Sequence, residues 1–224
     1  MTASTETGPV ATPAVPLNDP APVRRFRRFA VIWLAVALVF GLLAGGLGGW
    51  VLAQPHNPAD DSAEAGFLRD MSTHHAQAVE LSMIAHAKSD NPAIVTLAGD
   101  IALTQHQQIG YMQAWLRTWG LSPTGSTAPM AWMPGESGAV VNGLMPGMAT
   151  PAQLAELRTA AGTQLDIQYL TLMRKHHLGG LHMAQEILVQ SKNKDVTWLA
   201  QTMVNGQQAE LVVIADMLKQ LGAS

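Results

Sequence analysis

The chain has 224 residues, no cysteine and a formal net charge of −3, spread unevenly: residues 1–53 carry four arginines against Glu6 and Asp19, and residues 54–224 carry nine Lys/Arg against fourteen Asp/Glu. A mildly acidic main region has no basic face for nucleic acid, so nucleic-acid binding is excluded as its business. Without cysteine there is no disulfide, no zinc–thiolate or iron–sulfur site and no thiol chemistry. Twelve Met and eight His are the telling counts, because both side chains serve as soft or borderline metal ligands as well as ordinary filler.

Residues 1–23 are rich in Pro, Ala and Thr and read as disordered; with Arg24, Arg25, Arg27 and Arg28 they make a cytoplasmic tail, residues 1–28. Residues 29–53 then run without a charge. At about 1.5 Å per residue this exceeds the roughly 30 Å hydrocarbon core, so the segment is expected to be a single transmembrane anchor. Trp33 and Trp50 stand near its ends, where interfacial aromatics belong, and the arginine cluster keeps the N-terminus inside. A cleaved signal peptide ending near Val51-Leu52-Ala53 is the alternative, although the apolar run is long for one. Either way the domain from residue 54 onward lies outside the cytoplasm. Gly41, Gly45 and Gly49 recur every four residues, a pairing face that would permit a homodimer.

The exported domain, residues 54–222, reads as helical throughout, with no alternating strand pattern. Asp60 or Asp61 is expected to cap the first helix, and Asn91-Pro92 caps the second, giving a hairpin over 61–120 that ends at Gly120. A Pro/Gly/Met-rich loop occupies 121–149. Thr150-Pro151 opens a short helix over 151–161, and a second hairpin covers 163–222, with Asp195 the expected cap of its last helix.

Shifting the sequence by 102 residues lays 67–120 on 169–222 without a gap. Met71 falls on Met173, His74-His75 on His176-His177, Asn91 on Asn193, Gln105 on Gln207 and Gly120 on Gly222. Each half is a helical hairpin with one apolar stripe that it cannot bury alone, so the two halves are expected to pack as a four-helix bundle.

Met71-x-x-His74-His75 places a thioether one turn below two imidazoles, and Met173-x-x-His176-His177 repeats it. Met83 and His86 continue the first helix at similar spacing, and His182-Met183 the repeated one. Thioether with imidazole and no thiolate suits copper, Met favouring Cu(I) and His serving either state. Protonation of imidazole below about pH 6 would then compete with the ion. Met130, Met133, Met145 and Met148 in the loop suit either Cu(I) capture or a hydrophobic flap. A carboxylate di-iron centre would need Glu-x-x-His, which does not occur, and there is no phosphate loop, haem-attachment or Ser-His-Asp pattern.

Phe67-Leu-x-x-Met71-x-x-His74-His75, Leu97-Ala98, Gln105, Met112-x-x-Trp115-Leu116-x-x-Trp119-Gly120 and their counterparts around Met173, His176, His177, Met183 and Gln207 resemble the bacterial domain-of-unknown-function 305 family over about residues 60–222. The resemblance implies a ferritin-like, all-α four-helix fold and export from a bacterial cytoplasm. It also implies copper binding through Met and His, as some members show in connection with copper tolerance. Departures are Leu81, where the family pattern often has Met, and Gln208, which stands opposite His106. The expectation is a non-enzymatic, membrane-anchored, extracytoplasmic copper protein for sequestration or handover. Its metal ligands would come from Met71, His74, His75, Met83, His86, Met173, His176, His177, His182 and Met183. The alternative is a structural or protein-interaction module of the envelope in which the His-His pairs are buried architecture.

Overall fold

The structure, a computed structural model, describes residues 8, 21–53, 57–136 and 138–223. Most of the tail expected to be disordered, and the linker at 54–56, lie outside these residues. The chain divides into two compact units, residues 1–56 and 57–224.

The first unit holds one helix, α1 (Ala21–Ala53). It takes in residues 21–28, which the sequence assigns to the tail. Its segment Phe29–Trp50 has a mean hydropathy of 2.4 and presents its apolar side chains on every face. Among the described residues it is the one helix long and apolar enough to cross a membrane.

The second unit holds α2 (Ala63–Lys88), α3 (Pro92–Thr118), α4 (Pro151–Thr159), α5 (Gly162–Gln190) and α6 (Lys194–Gln220), with no strand among the described residues. Local chemistry sets most boundaries. Asn91 Oδ1 accepts from the Ala93 amide, with Pro92 following it, and Thr150 forms a capping box with Gln153. Two caps differ from expectation. Ser62, not Asp60 or Asp61, caps α2, because Asp60 is taken up by the Arg69 guanidinium. Asn193, not Asp195, caps α6; Asp195 sits in the first turn, where its charge meets the helix dipole.

Helix α2 packs on α3 and α5 on α6, and the two hairpins meet chiefly along α2 and α5. Those two helices cross antiparallel: α2 residues before His74 share one core lobe with α5 residues after Leu181, and α2 residues after Ala78 share another with α5 residues before His176. Reciprocal clamps express the internal symmetry. Ser89 Oγ donates to Asp166 Oδ1 (2.6 Å) and Ser191 Oγ to Glu64 Oε1 (2.7 Å). The two serines are 102 residues apart, and so are the two acids. Each hairpin is therefore fastened by its turn to the start of the other.

Candidate functional site

Between the two core lobes lies a polar layer. His74 and His75 from α2, and His176 and His177 from α5, are at most 1% exposed. The rings of His74 and His176 face one another with centroids 3.7 Å apart and planes tilted by 34°. This contact sits where α2 and α5 cross.

Each imidazole is held through Nε2. His74 donates to the Pro146 carbonyl (3.1 Å), and His176 to the carbonyl of His74 itself (2.9 Å). His177 donates to Glu210 Oε2 (2.6 Å) and His75 to Gln108 Oε1 (2.7 Å). Carbonyl and carboxylate oxygens only accept, so each Nε2 carries a proton, and in the neutral ring the lone pair lies on Nδ1. All four Nδ1 atoms are buried with no protein hydrogen-bond partner. A buried acceptor left without a partner costs about 1–3 kcal/mol. Four such lone pairs in one layer make an unusual concentration of unused basicity.

Burial, foremost, pushes the pKa of His74 down to about 4 and that of His75 to about 3. Burial also holds His176 well below the ordinary range, reinforced by the neighbouring imidazoles. These rings are neutral at pH 7, so a cation would displace no proton from them. Proton competition, expected below about pH 6, is moved to lower pH for these three residues.

The loop 121–149 covers one side of the layer. Met130, Met133 and Met145 are buried in the α2-start lobe, and Met148 packs against it. Asp70 Oδ2 accepts from the Met130 amide (2.7 Å) and the Trp132 indole (2.9 Å), and Trp132 packs edge-on against Phe67. These bonds hold Met130 at φ +64, a left-handed conformation a side chain rarely adopts. Gln77 exchanges two hydrogen bonds with the backbone of Ala149 (2.9 and 2.6 Å). Over α5 the approach is backbone to backbone: a Cβ on Gly179 would lie 2.0 Å from the Pro146 carbonyl oxygen, and one on Gly147 2.4 Å from that of Lys175. The loop thus packs as a hydrophobic cover on this side of the bundle.

The structure separates the other candidate ligands. Met71 and Met173 are fully buried but lie in different lobes, on opposite sides of the histidine layer, because the helices that carry them are antiparallel. Met183 is buried in the lobe of Met71. Met83 and His86 are exposed, His86 Nδ1 donating to the Val95 carbonyl. His182 is exposed beside Glu136. Among the described residues no three His, Asp or Glu side chains converge as a ready-made metal-binding group. Gln108 and Pro146 escaped the sequence reading. The first had a signal, since the 102-residue shift lays Gln108 on Glu210, each 33 residues beyond the histidine it accepts from.

The profile of the family described as "Domain of unknown function (DUF305)" matches residues 64–218. The chain belongs to the DUF305 family. A DUF305 protein from Streptomyces coelicolor is 43% identical, with a TM-score of 0.69, covering 74% of this chain and 98% of its own. A DUF305 fragment from Deinococcus radiodurans is 30% identical (TM-score 0.61; 73% and 99% covered). CopM in its Cu(I)-bound form shares the fold at 21% identity (TM-score 0.55; 71% and 96% covered). No curated protein matches the sequence.

Proposed function

We propose that this DUF305 protein is a membrane-anchored, extracytoplasmic copper-binding protein, which sequesters or hands over the ion without bond-making chemistry. The observation that carries the reading is the set of four buried Nδ1 lone pairs, each fixed in its tautomer by an acceptor at Nε2. A carboxylate or carbonyl on the far nitrogen orients a ligating imidazole and raises its basicity. The donor set fits a soft, low-coordinate ion: imidazoles at the α2/α5 crossing and a thioether above and below them suit Cu(I). His74 and His176, with Met71 or Met173, would hold it. His75 and His177 supply the neighbouring lone pairs.

Two further facts support the reading. CopM, of the same fold, is described with Cu(I), Cu(II) and silver bound. The Streptomyces relative is described as a secreted protein, and α1 has the length and hydropathy of an anchor. With the arginine cluster inside, the bundle lies outside the cytoplasm.

The test is titration of the full chain in detergent with Cu(I) against a chromogenic chelator. Withdrawal of the ion from the chelator by the wild type, and loss of that capacity in His74→Ala/His176→Ala with helicity retained, is the expected result. Equal copper uptake by both would refute it.

A second reading has its own observation. Every Nε2–H in the layer is already satisfied within the protein, as in a polar layer that fixes the register of a buried bundle. In that case His→Ala variants lose stability to the same extent with and without copper.

A further inference from the structure

The histidine layer has two sides. The loop closes one, with backbone contacts at Gly147 and Gly179 that leave no room for a methyl group. On the other side, between α3 and α6, lies a cavity of about 90 Å³, bounded among others by Gln105, Gln108, Thr202, Met203, Gln207 and Glu210. That volume has room for about three waters. Gln105 and Gln207 are repeat mates, and so are Gln108 and Glu210, so the cavity lies on the internal symmetry axis of the bundle.

Its lining has two properties. First, Gln105 and Gln207 are 2% and 4% exposed, yet both amide atoms of Gln105 and Oε1 of Gln207 have no protein partner. Gln207 reaches from α6 to α5: a Cβ on Gly180 would stand 2.7 Å from its Oε1. Second, Gln108 and Glu210 are the residues that accept from His75 and His177, so the walls of the cavity are in direct contact with the imidazoles. No cationic side chain lines it. Glu210 also borders a wider groove of about 490 Å³ between α3 and α6, which it shares with Asp100.

We propose that this cavity is the antechamber through which a soft cation reaches the histidine layer, a route that rests on the copper reading above. Glu210 meets the ion at the mouth. The amide oxygens of Gln105 and Gln207 replace its departing waters, and the ion passes inward past His75 and His177 to the histidine layer. Oxygen donors bind a soft cation weakly, which suits transit, and nitrogen with sulfur holds it.

The test is stopped-flow mixing of the full chain in detergent with silver nitrate, following protein fluorescence, alongside equilibrium titration with the same ion. Gln105→Leu/Gln207→Leu, which removes the two unpartnered amides from the chamber, is expected to slow association at least tenfold while the dissociation constant stays within threefold. Glu210→Gln keeps an acceptor for His177 and is expected to slow association several-fold and flatten its dependence on ionic strength. Wild-type association rates in both variants would overturn the antechamber while leaving the copper reading intact. So would a large loss of affinity in the leucine variant at an unchanged association rate, because the glutamines would then be ligands or supports. A wild type that takes up no silver would remove the antechamber and the soft-cation reading together.

Discussion

His176 donates its Nε2 proton to the backbone carbonyl of His74, 102 residues earlier, while the two rings lie 3.7 Å apart. One contact thus fixes the crossing of α2 and α5, the tautomer of His176 and the direction of its free nitrogen. The same residues that hold the bundle in register present the lone pairs.

Stability should fall on mild acidification. The folded-state pKa values of His74 and His75, about 4 and about 3, lie below the ordinary value of 6.5. The unfolded chain therefore binds more protons than the folded one as the pH drops below 6.5. The stability conferred by the neutral rings is fully present above that pH and is lost progressively towards pH 4 and 3. At about 1.4 kcal/mol per histidine per pH unit once the unfolded rings are fully protonated, these two cost about 4 kcal/mol between pH 7.5 and 5. Burial raises Asp70 and acts in the opposite direction, but near its own lower range. Urea unfolding at pH 7.5 and pH 5 should show the midpoint falling; a constant midpoint would mean that the layer is hydrated or charged.

Gly179→Ala should destabilise despite the better helix propensity of alanine. Propensity offers up to about 1 kcal/mol, whereas the added methyl meets the Pro146 carbonyl oxygen at 2.0 Å. Overpacking of that kind costs about 1–3 kcal/mol and is relieved by lifting the loop off α5. Thermal unfolding should shift downward, and proteolytic cleavage within 121–149 should accelerate.

Asp70→Ala would leave the Met130 amide and the Trp132 indole without their acceptor. A loss of about 2–4 kcal/mol is expected for one buried and one half-buried donor, and Asp70→Asn, which keeps one carbonyl acceptor, should lose less. Chemical denaturation of the three proteins would give the order wild type, Asn, Ala.

Much of the fold was legible because its causes are local or repeated. Asn91-Pro92 and Thr150-Pro151 announce helix starts through side-chain and backbone chemistry within four residues. The 102-residue repeat announces two equivalent hairpins. Asp60 misled because its carboxylate is claimed by Arg69, a contact decided by the loop's path. Likewise, Val204-Asn205-Gly206 reads as a poor helical stretch but lies inside α6, where tertiary packing of Val204 overrides propensity.

The site was legible only by residue type. The His-His pairs were found, but placing Met71 and Met173 on opposite sides of the layer needs the antiparallel crossing, which spacing along one helix does not contain. Met83, His86 and His182 lie on exposed faces of α2 and α5, turned away from the layer. The partners that set the tautomers, Pro146 and Gln108, come from the loop and the second helix of the hairpin. Those distances close only on folding.

The most direct test of the central claim is a ¹⁵N-detected two-bond correlation spectrum of the histidine side chains in the full chain, before and after one equivalent of Cu(I). Without copper, His74, His75, His176 and His177 should all show the Nε2–H tautomer. With copper, the Nδ1 resonances of His74 and His176 should move by tens of parts per million while their Nε2–H signals persist. Unmoved Nδ1 resonances in all four rings after copper has bound would contradict the account, as would a mixed-tautomer spectrum of the free protein.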